Sequence, residues 1–313
     1  MTILQTLRQS FHSWQYNRGS QIKYYNFWFD QRPAEMWFTR FIKTHFPKQK
    51  LPRINFTSVL GPINEMRDNR HGLNIFYTGE NLHANRFSAQ RNLLEKQNYN
   101  LTLGFDYNTT DNYMRLPLWV LWCFPPEADR KTIDNIVQTM RYPSIGNKKE
   151  FCCLICSHDQ SGIRSQIMDN LSSIGMVSSA GRFRKNTDAL QKEFNDDKVA
   201  FMRQFRFAIC PENSDANGYV TEKIFDAILS GCIPIYTGSC NRPEPALINS
   251  NAVIFWDPDG DNKSAWEKVK FLESVPQAYM EFAGQPRLSE EAEEIVWQYY
   301  TDLEKYFKQL FCE

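Results

Sequence analysis

The chain lacks an excess of charge of either sign. Its 313 residues carry 36 Lys and Arg against 36 Asp and Glu, so no broad field advertises nucleic acid or an anionic membrane as a partner. It also lacks any apolar run of about 18 residues, the length a membrane helix needs. The opening MTILQTLRQSFHSWQYNRGS has neither the apolar core nor the cleavage site of a signal peptide. Metal-ligand spacing is scarce as well. Cys153 and Cys156 form a lone C-x-x-C with no second pair and no nearby histidines, which argues against zinc or dithiol chemistry. The one Asp-x-Asp, Asp257-Pro258-Asp259, opens the stretch DPDGDNKSAWEK. That stretch misses the calcium-loop pattern because its sixth position is Asn262 and its twelfth is Lys268, so it reads as a turn. No protein-bound catalytic metal is expected.

What is present is enough chain for two domains of ordinary size. Aromatic residues make up 14% of it, with 8 Trp, 14 Tyr and 23 Phe; these suit sugar faces, but core packing accounts for most of them first. The cysteines sit mostly in apolar runs such as FCCLIC and FAIC, where a thiol acts as a small hydrophobe. Strand-like and helix-like segments alternate: IKYYNFWF at 22–29 and LNIFYT at 73–78 as strands, PAEMWFTRFIKTHF at 33–46 as a helix. A polar Pro- and Gly-containing stretch, PSIGNKKE, marks a boundary near 142–150. Beyond it come a buried strand at 151–157, a helix at 165–175 and a late strand at 252–256. Such alternation in both halves predicts two α/β domains with parallel sheets, and a ligand cleft at the carboxyl ends of the strands. From Ser289 the tail predicts a helix with a serine N-cap, acids first and lysines last, and an apolar face of Ile295, Tyr299, Leu303, Tyr306 and Leu310.

The most informative stretch is FRFAICPENSDANGYVTEKIFDAILSGCIPIYTGS, residues 205–239. It reads as strand, polar loop, helix, glycine stop at Gly231 and strand. The spacing has the helix opening over Tyr219, Val220, Thr221, Glu222 and Lys223. A helix N-terminus offers free N–H groups and a positive dipole to anions. There Lys223 can meet phosphate charge while Glu222 accepts hydrogen bonds from sugar hydroxyls. Taken alone, the Glu-Lys pair would read as a salt-bridged helix start; its place after a strand and a Pro-Glu-Asn-Ser loop points to a nucleotide diphosphate.

This segment resembles the donor-binding signature of the GDP-fucose-dependent α1,3-fucosyltransferases. That pattern runs Phe-Glu-Asn-Ser, a short insert, Tyr-Val-Thr-Glu-Lys and a helix, then a Gly-x-x-Pro-Ile/Val strand. Here Pro211 replaces the usual Phe, a change that stiffens the loop without removing a polar group. Three further stretches agree: IFYTGEN at 75–81, LTLGFDYNTTDNYMRLPLW at 101–119, and the segment around Arg164 followed by the Gly-rich turn SAGRFRKNT at 179–187. The matches run in order over about residues 22 to 240.

The resemblance implies the GT-B arrangement: two Rossmann-like domains facing a cleft, with a C-terminal helix crossing back to the first. Residues 1–145 plus 288–313 would form the acceptor-binding domain and residues 146–287 the GDP-fucose-binding domain. It implies inverting transfer of L-fucose from GDP-β-L-fucose to a glycan hydroxyl, giving an α1,3 linkage to GlcNAc of an N-acetyllactosamine-type glycan. Glu80 would be the base. Arg164 and Lys223 would hold the diphosphate, with Tyr219 donating to a phosphate oxygen. Asn213 and Glu222 would meet ribose or fucose hydroxyls, Glu222 alternatively facing charge at the anomeric carbon, and Arg182 is a further donor-site candidate. His83 and His158 read as structural or exposed.

No tightly bound cofactor is implied beyond the donor substrate, with stimulation by Mn2+ or Mg2+ through released GDP. The chain resembles the bacterial cytoplasmic type, with peripheral membrane attachment as a variant; a Golgi location would require an anchor that has been trimmed away. The rivals are the same scaffold with an α1,4 linkage or another GDP-sugar, and a glycan-binding module that has lost catalysis. Acceptor choice would lie in loops such as 57–72 and 81–100, which carry no motif that names a sugar.

Overall fold

A computed structural model describes residues 11–28 and 31–312. The segment before residue 11 and Phe29, the last residue of the first expected strand, lie outside the described residues. The chain divides into two compact units, Met1–Arg130 with Val296–Glu313, and Lys131–Ile295.

The first unit holds five strands: β1 Ile22–Tyr25, β2 Ile54–Thr57, β3 Leu73–Tyr77, β4 Leu101–Gly104 and β5 Tyr113–Arg115. All pair in parallel and in chain order, β1-β2-β3-β4-β5. Helices α1 Trp37–His45, α2 Ser88–Leu94 and α3 Leu118–Cys123 belong to the same unit. Strand β2 is buried at every position, as expected of a parallel sheet covered on both faces. Many of the aromatics are spent here: Phe56 stacks on Tyr24 at 5.2 Å and on Phe38 at 4.7 Å, and Tyr24, Phe38, Phe41, Phe56 and Tyr77 are almost wholly buried.

The second unit is built on α4 Arg130–Arg141, β6 Glu150–Leu154, α5 Ile163–Leu171, β7 Val177–Ser179, α6 Lys198–Met202, β8 Phe205–Ile209, α7 Glu222–Leu229, β9 Ile233–Tyr236, β10 Ile254–Phe255, α8 Lys263–Ser274 and α9 Pro276–Ala283. The unit itself begins at Lys131. Its sheet order is β10-β9-β8-β6-β7, again parallel. After β6 the chain goes to one side for β7, then returns to the other side for β8. Strands β6 and β8 therefore flank a reversal of strand order, the place where open parallel sheets bind ligands beyond their carboxyl ends.

The glycine stop is a Schellman cap. The N–H of Cys232 bonds Ala227 O and that of Gly231 bonds Ile228 O. Gly231 has φ 73°, and a Cβ there would lie 2.3 Å from the Ser144 carbonyl oxygen.

The last helix, α10 Ala292–Cys312, starts in the second unit, and from Val296 onward its residues belong to the first. It corrects the sequence expectation twice. The Ser289 hydroxyl donates to Ala246 O instead of capping the helix. The buried face is Val296, Tyr300, Leu303 and Phe307, one position on from most of the expected residues; Ile295, Tyr299, Tyr306 and Leu310 are only half-buried. The physical reason is Phe307 and Tyr300, whose rings meet Phe41 at 6.0 and 5.8 Å and claim the interior side. No helix among the described residues is long and apolar enough to cross a membrane.

Candidate functional site

The strand-order reversal of the second unit is bridged by a buried arginine. The chain leaves β6, turns at Gly162 (φ 78°) and enters α5. Asp159 fastens this turn, accepting from the N–H groups of Arg164 and Ser165 and from the Ser165 hydroxyl at 3.2, 2.8 and 2.7 Å. Burial pushes the Asp159 carboxyl up, but these donors outweigh it and hold it below the usual carboxylate range. Arg164, 2% exposed, then donates from Nη1 to His158 O at 2.8 Å and from Nη2 to Asn213 Oδ1, beyond β8, at 2.9 Å. Its Nε is buried with no hydrogen-bond partner. An unmet donor on a buried cation is costly unless a ligand meets it.

Opposite this stands a carboxylate that the sequence reading passed over. The Glu212 side chain is fully buried. It accepts from Thr221 N at 2.8 Å, Thr221 Oγ1 at 2.7 Å and Lys223 Nζ at 3.2 Å. Lys223 also donates to Thr221 Oγ1 at 2.8 Å and lies 3.8 Å from Glu222. Burial pulls the Lys223 ammonium down, yet Glu212 and Glu222 outweigh it and leave its pKa above the ordinary value. The helix start thus differs from the expectation. It begins at Glu222, with Thr221 extended at the N-cap, and its positive end already faces a carboxylate of its own chain. The signal in the sequence was the acid in Pro-Glu-Asn-Ser, which turn composition disguised.

Of the other expected donor residues, Glu222 and Lys223 line a small cavity of ≈ 60 Å³ together with Arg164, Lys198 and Asp226. Cys156, on the same cavity, has its thiol pushed up to about 11 by burial. Tyr219 is buried just before the helix. Arg182 stands exposed in the turn after β7 and lines neither hollow of this unit described here. A larger hollow of ≈ 420 Å³ lies at the strand ends, lined by Gln166, Glu212, Ser214, Asp215, Gly238 and Asp259 among others. Asp257-Pro258-Asp259 is a turn held by its own groups, with Asp257 Oδ1 accepting from Asp259 N at 3.0 Å and Asn262 Oδ1 from Asp257 N at 2.7 Å. Among the described residues no three His, Cys, Asp or Glu side chains gather as a metal site.

In the first unit Glu80 follows β3 on a tight turn. Its N–H donates to Thr78 Oγ1 at 3.0 Å. Gly79 packs closely on α3, where a Cβ would lie 3.1 Å from the Leu118 side chain. One Glu80 oxygen accepts from Arg86 Nη2 at 2.9 Å. Two residues beyond Asn81, His83 Nε2 meets Asp106 Oδ1, after β4, at 2.7 Å.

Comparison with known proteins identifies the family. Residues 22–122 match the Alpha-(1,3)-fucosyltransferase FucT N-terminal domain. Residues 145–308 match the Glycosyltransferase family 10 (fucosyltransferase) C-terminal region. The chain belongs to glycosyltransferase family 10. It is 27% identical over 269 residues to Alpha-(1,3)-fucosyltransferase FucT of Helicobacter pylori, covering 77% of this chain and 52% of that protein. It is 35% identical over 81 residues to an Alpha-(1,4)-fucosyltransferase of Arabidopsis thaliana, 26% of this chain and 20% of that one. The chain thus spans about half the length of the first of these relatives and less of the second. A crystal structure of alpha1,3-fucosyltransferase shares the fold with a TM-score of 0.61 at 22% identity, over 91% of this chain and 89% of that one. A second, with GDP-fucose, gives 0.60 at 21%, over 91% and 90%. The fold is GT-B.

Proposed function

We propose that this chain transfers L-fucose from GDP-β-L-fucose to a glycan hydroxyl with inversion, forming an α1,3 linkage to GlcNAc of an N-acetyllactosamine-type acceptor. The observation that carries the reading is Arg164: a buried guanidinium at the strand-order reversal whose Nε has no partner, beside the ammonium of Lys223. A diphosphate supplies the oxygens such donors want, by a planar fork from Arg and a point charge from Lys. The second unit, residues 131–295, is assigned the donor, and the ≈ 420 Å³ hollow beside Glu212 has the size of a ligand pocket. The first unit is assigned the base and the acceptor.

In the step itself, Glu80 takes the proton of the acceptor hydroxyl as its oxygen bonds to the anomeric carbon. The bond from that carbon to the β-phosphate oxygen breaks, and the electron pair leaves on GDP. Arg164 and Lys223 stabilise that growing charge. Asn213 and Glu222 are assigned to ribose or fucose hydroxyls and Tyr219 to a phosphate oxygen. Stimulation by Mn2+ or Mg2+ would act on the departing diphosphate, and no step needs a metal held by side chains of this chain.

Calorimetric titration with GDP-fucose, GDP-mannose and GDP tests the reading against an Arg164→Ala/Lys223→Ala double variant. Binding of GDP compounds that the double variant loses supports it, and no binding by folded wild type refutes it. The short segment similar to an Alpha-(1,4)-fucosyltransferase favours a second reading, an α1,4 product on the same scaffold. Linkage analysis of the product separates the two.

A further inference from the structure

Glu212 is a buried acid whose partners all belong to its own chain. Its side chain has no exposed surface, and its own N–H is tied to Thr237 O at 2.9 Å. Room for it is made by Gly238, where φ is 135° and a Cβ would lie 2.7 Å from Glu212 Cγ. All its described donors come from one short segment, Thr221 to Lys223. We infer that Glu212 is a positioning residue for the donor phosphates: its carboxylate keeps Lys223 charged and fixed at the mouth of α7. The inference rests on the reading of Lys223 as a diphosphate ligand.

The charges around Lys223 explain why a second carboxylate is not enough. Glu222 and Asp226 face it from α7, Glu212 from the loop after β8, Arg164 from α5 and Lys198 from α6, with the thiols of Cys156 and Cys210 nearby. Two of these neighbours are cations that oppose another positive charge. Glu222 is farther than Glu212, 3.8 Å against 3.2 Å, and is partly exposed. In the proposed reaction Glu222 is also committed to a sugar hydroxyl. The Glu212 carboxylate is unexposed and already bound to Thr221 and Lys223. Burial alone drives a lysine toward its neutral amine, which would meet a diphosphate without charge. A fixed buried partner prevents that, while its hydrogen bonds to Thr221 close the start of the helix.

The test is GDP binding by calorimetry between about pH 7 and 9, below the ordinary lysine pKa, for wild type, Glu212→Gln and Glu212→Gln/Lys223→Arg measured in parallel so that titration of GDP cancels. Glu212→Gln is expected to lose about tenfold in affinity relative to wild type as pH rises through this window. The double variant is expected to return to the wild-type slope, because a guanidinium stays charged. Parallel profiles for wild type and Glu212→Gln overturn the proposal, as does a double variant that keeps the steep slope. If wild type fails to bind GDP at every pH, it is the reading of Lys223 as a phosphate ligand that falls.

Should Glu212→Gln not fold, ligand-free melting decides the pairing. Lys223→Met leaves a buried carboxylate without its cation, so its melting temperature is expected to fall as pH rises from about 5 to 8. Lys223→Met/Glu212→Gln is expected to lose that dependence. The same pH dependence in both variants overturns the proposal.

Discussion

Arg164 Nη2 donates to Asn213 Oδ1 at 2.9 Å, joining the segment after β6 to the segment after β8 across the reversal in strand order. The bond fixes the plane of the guanidinium while Nε stays without a partner. Arg164→Lys keeps the charge and loses the fork, so GDP affinity is expected to fall by about 10- to 100-fold, from hydrogen bonds to charged groups worth about 1.5–3 kcal/mol. Asn213→Ala removes one restraint on the ring and is expected to cost less. Calorimetry at one pH, with a melting curve for each variant, measures both; an unchanged affinity in Arg164→Lys would remove the arginine from the donor site.

Glu80 offers a second test in the other unit. Replacing it by Gln keeps the turn, whose bond runs from the residue-80 backbone N–H to the Thr78 hydroxyl and does not involve the carboxylate. Transfer is expected to fall by about 10²- to 10⁴-fold with donor binding unchanged, the usual scale for a general base. Arg86, 42% exposed, pairs with Glu80 at 2.9 Å, and such pairs contribute at most about 1 kcal/mol. Arg86→Ala is therefore expected to leave the melting temperature nearly in place. Initial rates with saturating donor, set against calorimetric binding, would sink the assignment if Glu80→Gln turned over normally.

These tests fall on residues whose legibility in the sequence differed. Strands such as 205–209 and the stop at Gly231 were legible because apolar runs and turn glycines encode local geometry. Arg164 was named through motif resemblance, and Lys223 also through its place at a helix start. Glu212 was not, because a buried acid and a loop acid look alike until partners far along the chain are placed; Thr221 lies nine residues away. The α10 register was missed by one position for the same reason. Its tail has aromatic or aliphatic residues at both Tyr299 and Tyr300, and both Tyr306 and Phe307, so periodicity alone admits two faces. Phe41, more than two hundred residues earlier, selects between them.

Acid should expose another buried pair. Arg141 donates from Nη1 to Glu293 at 2.7 Å, and from Nη2 to the other carboxylate oxygen, with side chains 8% and 15% exposed. Burial pushes the Glu293 carboxyl up, but Arg141 and Gln138 outweigh it and hold its pKa below the ordinary 4.5. A carboxyl depressed in the folded state stabilises above its unfolded pKa and loses that contribution as pH falls through the folded value. Glu293→Gln is expected to cost about 2 kcal/mol at neutral pH and progressively less below pH 4.5. Urea melts of both proteins across that range check it, and a constant difference would contradict the sign.

The helix register supplies the last test. Leu303 and Phe307 are 0% exposed on α10, whereas Leu310, on the face the sequence suggested, is half-buried. Phe307 packs against Phe41 at 6.0 Å and stacks on Phe311 at 5.6 Å. Removing its ring should cost about 3–5 kcal/mol, and Leu303→Ala about 2–5, through lost burial and the cavity left behind. Leu310→Ala should cost well under half of that. Leu303 belongs to both candidate faces, so the informative comparison is Phe307→Ala against Leu310→Ala and Tyr306→Ala. Denaturant midpoints that fell more for Leu310 and Tyr306 than for Phe307 would restore the face read from periodicity.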